Sequence, residues 1–167
     1  TFSALRAPDA YGYYAGDHVS FQAGGTASEI HCSNYRQFTN ELSVAHSHAK
    51  HSSYQGRPFM AGALARLCVN GSKLTSRAAA AAMKLGLSLP SANPVDNNKA
   101  QAVELVNDVD RALGIVESLL ANGIENEAPV PVTPRAGAGT AVSEAPRGLL
   151  IHSYKYDGEG RIAAADA

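Results

Sequence analysis

The sequence has no tryptophan, only two cysteines, and almost no net charge. Each scarcity removes a class of protein. Cys32 and Cys68 stand far apart, so they make neither a disulfide framework nor the C-x-x-C clip of a thiolate metal site. Fourteen basic against fifteen acidic residues leave a formal net charge of −1. A nucleic-acid-binding domain needs a strongly basic face to displace counterions. The longest uncharged apolar stretches, such as Phe59–Ala65 and Ala78–Met83, fall far short of the roughly 20 residues that span a bilayer. No cationic, apolar, small-residue leader opens the chain at Thr1. These absences lead us to expect a soluble, cytoplasmic protein whose partners include neither nucleic acid nor membrane.

What is plentiful is alanine, at thirty of 167 residues. Alanine favours helix but buries little area, so a 45% hydrophobic fraction overstates the large side chains available to a core. The chain starts at Thr1 without methionine and ends in Ile162-Ala-Ala-Ala-Asp-Ala167, which resembles a strand cut short. The expectation is a single incomplete domain over 1–167, a piece of something larger.

Periodicity orders the chain. His18-Val-Ser-Phe-Gln22 alternates as a half-buried strand does, and Gly24-Gly25 breaks it. Ser33 or Asn34 is placed to cap a short helix reaching about Leu42, and residues 43–58 are polar and histidine-rich, a loop by composition. Phe59–Val69 is apolar apart from Arg66 and leaves strand, helix and buried loop open. Ser76–Leu85 predicts a helix capped by Thr75 or Ser76 and stopped by Gly86. A long amphipathic helix follows over about 94–121, opened by Asn93-Pro94 and closed by Asn122-Gly123. Its apolar stripe runs from Ala102 through Leu105, Val109, Leu113 and Val116 to Leu120, opposed by Glu104, Asn107 and Asp108. Ala128–Ser143 reads as a long irregular connection. Leu149–Tyr156 and Arg161–Ala165 flank the hairpin signal Asp157-Gly-Glu-Gly160.

Three places carry candidate chemistry. His46, His48 and His51 have spacings that fit two imidazoles on one metal, but no cysteine or carboxylate joins them and Lys50 intervenes. A polar loop is the plainer reading. Cys32 and Cys68 each suit a small buried hydrophobe. The third place is Ser143-Glu-Ala-Pro-Arg-Gly148. Pro146 fixes its own φ and drives Ala145 into extended backbone, so Arg147 sits on a stiff stalk before Leu149-Leu150-Ile151. A guanidinium donates in a planar fork and suits an anionic ligand. A structural arginine paired with Glu144 or a helix C-terminus fits the same spacing.

At these residues a resemblance emerges. Glu144-Ala-Pro-Arg-Gly148, followed by His152 and by Gly160-Arg-Ile162, resembles the characteristic segment of the large subunit of nickel–iron hydrogenases. Ala45–Ser52 and Gly56–Leu67, which contains Gly62-Ala-Leu-Ala-Arg66, are similar to the stretch upstream of it. The wording is closest to the cytosolic branch that includes the sulfhydrogenases and the NAD(P)-linked bidirectional enzymes. The resemblance implies an α+β fragment of a helix-bundle large subunit. It would have one long helix, one or two shorter ones, and peripheral strands including a C-terminal hairpin over about 149–166. It also implies that Arg147 overhangs a nickel–iron centre bearing cyanide and carbon monoxide, that Pro146 packs against those diatomic ligands, and that Glu144 and His152 give hydrogen-bond support. The family holds nickel through two C-x-x-C pairs, one near each end of the full-length polypeptide, and neither occurs here. This chain should therefore bind no metal alone and be inactive alone. Its partners would be an iron–sulfur small subunit together with the missing ends of its own large one. The alternative is a metal-free structural subunit related to the quinone-linked respiratory complexes.

Overall fold

The computed structural model describes residues 1–14 and 16–167. Strands β1 (Phe2–Arg6), β2 (His18–Ala23) and β3 (Thr26–His31) form an antiparallel meander. β2 is the predicted strand. Gly24 and Gly25, both at positive φ, supply the two-residue turn that sets Ala23 opposite Thr26. As the central strand it is buried on both faces through Val19-Ser20-Phe21, not on one. The helix expected from Ser33 to about Leu42 is a shorter 3-10 segment, Cys32–Gln37, whose cap is the His31 side chain accepting from the Ser33 amide. Asn34 kinks it from within, and it ends at Phe38, whose backbone leaves the helical region and whose side chain is buried.

The loop expected over 43–58 contains a small hairpin, β4 (Leu42–Val44) and β5 (Ser47–His51). Its strands are mostly exposed, so they needed no apolar alternation. The open stretch after it resolves as helix α1 (Ala63–Asn70), with Ala63 through Leu67 all buried between β1 and a later helix. Helix α2 (Ser76–Lys84) matches its signals: Thr75 Oγ1 accepts from the Ala78 amide, and Gly86 leaves the helix at φ 61°. Helix α3 (Asp96–Asn122) is the long helix, with Asn93 Oδ1 accepting from the Val95 amide and Gly123 at φ 78° closing it.

The apolar stripe is not the buried face of α3. Ala100, Val103, Glu104 and Asn107 are the buried positions, while Leu105 is 66% exposed, Val109 55% and Leu120 80%. The buried face is narrow and partly polar because Glu104 and Asn107 bind groups on other elements; Asn107 Oδ1, for instance, accepts from the Thr75 amide. The broad apolar stripe faces outward.

The connection expected to stay irregular through Ser143 becomes strand from Gly137 onward. Its Gly-Ala-Thr composition hides a nine-residue partner for the strand that follows. Strands β6 (Gly137–Ala145), β7 (Gly148–Tyr156) and β8 (Ile162–Asp166) form a second meander, and β7–β8 is the predicted C-terminal hairpin. Asp157 Oδ1 closes that turn by accepting from the amides of Glu159 and Arg161. The fold is α+β. One core joins Tyr11, Leu64, Leu67, Ala78 and Val103 among the helices. The other joins Leu5, Val19, Phe21, Phe38 and Val142 between the two meanders. No described helix is long and apolar enough to cross a membrane.

Candidate functional site

Pro146 and Arg147 are the two-residue turn between β6 and β7, with Ala145 paired to Gly148 across it. Both residues are exposed. Among the described residues, the Arg147 side chain makes no hydrogen bond or ion pair. Glu144, the partner left open by the sequence, is committed elsewhere. Its Oε1 accepts from the Leu5 amide at 2.7 Å and its Oε2 from Arg66 Nη1 at 3.0 Å.

Arg66 is the hub beneath the turn. Its Nε and Nη2 donate to the two oxygens of Glu104, both at 2.7 Å. Nη1 also donates to the Ala145 carbonyl at 2.8 Å, and Nη2 to the Pro146 carbonyl at 3.1 Å. A guanidinium has five N–H donors, and these five acceptors use all of them. The side chains are 3% exposed for Arg66, 8% for Glu104 and 1% for Glu144. Charges buried this deeply are tolerable only when paired and hydrogen-bonded. Tyr11 completes the set by donating its hydroxyl to Glu104 Oε1 at 2.8 Å.

The electrostatics follow from two carboxylates sharing one cation. Burial pushes the Glu144 carboxyl above the ordinary glutamate range, and the Leu5 amide and Arg66 offset only part of that. Burial works against the Arg66 cation too, but the bonds and charge of Glu104 and then Glu144 outweigh it and hold the proton more tightly than usual. Burial, and then Glu104, push the Tyr11 hydroxyl far up, so it stays a donor. Tyr13 is raised by burial and by donating to Asp108 Oδ1 at 2.6 Å.

An open pocket of about 500 Å³ lies beside this cluster. Arg66, Glu144, Ala145 and Pro146 form one wall, Tyr13 and Tyr14 another, and Gln101, Glu104, Leu105 and Asp108 of α3 the third. Of the turn itself Pro146 reaches this pocket, whose carboxylates are already paired with Arg66 or Tyr13.

The other candidates lie apart from it. His152 is half-buried on β7, with its Nδ1 2.9 Å from the Tyr154 hydroxyl and its ring stacked on Tyr154. Five residues of strand separate it from Arg147, roughly 16 Å at the usual rise. His46 and His51 meet edge to face with ring centres 5.6 Å apart on the β4–β5 hairpin. Among the described residues, no three His, Cys, Asp or Glu side chains are grouped to hold a metal ion. Cys32 is buried and donates to the Thr140 carbonyl at 3.2 Å, and burial raises the Cys68 thiol. Sequence reasoning did not select Arg66, Glu104 or Tyr11 as site residues. The signal was an arginine alone in an apolar run, which in a folded core requires a carboxylate partner.

No protein-family model matches the sequence. Among curated proteins, the chain is 37% identical over 164 residues to the alpha subunit of sulfhydrogenase 1 of Pyrococcus furiosus, covering 95% of this chain and 36% of that protein. The alpha subunit of sulfhydrogenase 2 of the same organism is 37% identical over 118 residues, covering 71% and 28%. A vhu F420-non-reducing hydrogenase polypeptide of Methanococcus voltae is 27% identical over 162 residues, covering 92% and 38%. Among solved structures, an NAD+-reducing [NiFe]-hydrogenase in the H2-reduced state superposes with a TM-score of 0.73 at 24% identity, covering 99% of this chain and 38% of that one. A Ni-Fe-Se hydrogenase of D. vulgaris Hildenborough gives 0.56 at 20% identity, covering 92% and 37%. At such identities the structural likeness establishes the fold. The chain spans little more than a third of the length of the first of these relatives.

Proposed function

We propose that this chain, 37% identical to part of a sulfhydrogenase alpha subunit and sharing its fold with a segment of a [NiFe]-hydrogenase, belongs to the large subunit of a nickel–iron hydrogenase and supplies the arginine overhanging its bimetallic centre. The observation that carries the reading is Arg147 itself. It is an exposed guanidinium with no partner among the described residues, held on a two-residue turn whose backbone is fixed from below by Arg66. A side chain free to bond outward, on a stalk that is not free to move, is what recognition of an anionic ligand requires.

The residues of this chain do not fit the ligand set of the metal. Cys32 is buried against Thr140, Cys68 lies half-buried on α1, and no group of three potential ligands converges among the described residues. They do fit the overhanging role. In the assembled large subunit the centre supplies the redox chemistry of dihydrogen. Arg147 would donate to a cyanide-type acceptor on the iron side, and Pro146 would give an apolar contact to the diatomic ligands. Glu144 is a structural anchor for the turn in this reading, and His152 keeps a hydrogen-bond role, with the Tyr154 hydroxyl on β7. The chain is then the middle of a longer polypeptide, inactive alone. Its partners are an iron–sulfur small subunit together with the remaining parts of the large one, and the cytoplasmic location implied by the sulfhydrogenase resemblance belongs to the same proposal.

The test is Arg147→Lys in the full-length protein. Lysine keeps the charge and loses the planar fork. Loss of one positioned donor costs about 10²–10³ in turnover. We expect that loss per nickel, with the melting temperature unchanged because no buried group loses a partner. Turnover per nickel within a few-fold of the parent overturns the role given to Arg147.

A further inference from the structure

Building on that reading of Arg147, we infer that Arg66 and Gly62, on either end of the first turn of α1, are positioning residues that set where the Arg147 side chain points. Neither reaches outward to a ligand. They act on the backbone of the turn from two sides.

The first side is polar. Arg66 donates to the carbonyls of Ala145 and Pro146, the two peptide groups that lead into Arg147. Arg66 is itself held from α3 by both oxygens of Glu104, so the turn is tied to the helical core through one buried guanidinium. The second side is steric. A Cβ on Gly62 would lie 3.2 Å from the Arg147 carbonyl oxygen and 3.7 Å from its Cα, so the turn packs directly on the glycine backbone. Gly62 also sits at φ 94°, which L side chains rarely adopt. Across the same contact, a Cβ on Gly148 would meet Ala61 Cβ at 3.2 Å. The 60–62 segment cannot retreat, because Met60 exchanges backbone bonds with β1. The Ser3 amide donates to the Met60 carbonyl at 2.8 Å and the Met60 amide to the Thr1 carbonyl at 2.9 Å. The turn is therefore pulled down by Arg66 and stopped by Gly62. Together these fix Arg147 without touching its side chain.

The experiment compares Arg66→Lys, Gly62→Ala and Arg147→Lys in the full-length protein with its partner. Lysine has three donors and meets at most three of the five acceptors now served. Gly62→Ala leaves the charge cluster intact and pushes the turn outward by a few tenths of an ångström. Each is read by hydrogen exchange of residues 143–150 and by turnover per nickel. We expect exchange in that segment about tenfold faster for Arg66→Lys, as for loss of one or two hydrogen bonds, and faster by a smaller factor for Gly62→Ala, with β1–β3 protected as in the parent. Turnover per nickel falls about 10–10²-fold for Arg66→Lys, the usual penalty for a misplaced group, and by a smaller factor for Gly62→Ala. If Arg66→Lys does not fold, Gly62→Ala alone decides. Unchanged local exchange, or faster exchange with turnover per nickel within about twofold of the parent, overturns the inference. Arg147→Lys separates the two ideas. Full turnover there sinks the proposed function, whereas lost turnover there with parental turnover in both cradle variants sinks only the positioning role.

Discussion

Replacing Arg66 by methionine keeps most of the side-chain volume and removes the one cation that Glu104 and Glu144 share. Three bonds to carboxylate oxygens and two to turn carbonyls disappear. Two carboxylates whose side chains are 8% and 1% exposed then face each other's field with only the Tyr11 hydroxyl and the Leu5 amide as donors. Removing one partner from a buried ion pair costs about 3–5 kcal/mol, a fifth or more of the stability of a typical domain at about 5–15 kcal/mol. The loss depends on pH in a fixed direction. Burial already raises the Glu144 carboxyl, and without the Arg66 cation beside it that carboxyl rises further. Between the unfolded and folded pKa values the folded state binds more protons than the unfolded, so stability rises as pH falls through that window. Urea unfolding at pH 7 and pH 5 reads both effects. We expect the full loss at pH 7 and recovery of about 1–3 kcal/mol at pH 5, at about 1.4 kcal/mol for each tenfold gain in proton affinity. A loss below about 1 kcal/mol at pH 7, or one that does not change with pH, refutes the buried-cluster argument.

Two further outcomes are open to simple measurement. The outward face of α3, with Leu105, Val109, Leu113, Val116 and Leu120 all exposed, should make the isolated chain self-associate in sedimentation and bind apolar dyes. Leu113→Lys with Val116→Lys should suppress both, and a monodisperse, dye-silent parent contradicts this. The isolated chain should also carry no stoichiometric nickel by elemental analysis and reduce no dye with hydrogen, since its cysteines form no thiolate pair. Hydrogen-dependent dye reduction by the chain alone removes the reading of it as one part of a larger site.

Much of the fold was legible because local signals agreed with it. Thr75 and Gly86 bracket α2, Gly24-Gly25 turns β2 into β3, and Asp157-Gly-Glu-Gly160 turns β7 into β8. The misses share a cause. β4 and β5 are mostly exposed strands of polar residues, and β6 is built largely of Gly, Ala, Ser and Thr with Val142 its one large apolar side chain, so none leaves a period-2 trace. The buried face of α3 is not legible from its broad apolar stripe, because Glu104 and Asn107 choose it by finding partners on other elements. The site was half legible. Glu144, Pro146 and Arg147 stand together in sequence, so stiffness at the turn follows from residue types alone. Arg66 and Glu104 lie 78 and 40 residues upstream of Glu144. Only the tertiary fold brings them beneath the turn, and the lone arginine in Phe59–Val69 was the trace they left.

The most direct test of the central claim is X-ray diffraction from the assembled full-length protein, recorded on both sides of the nickel absorption edge. The metal peak should lie beside the Pro146–Arg147 turn, with the Arg147 guanidinium about 3 Å from an atom bound to the neighbouring iron. A peak beyond the reach of Arg147, whether at the His46–His51 hairpin or elsewhere, contradicts it.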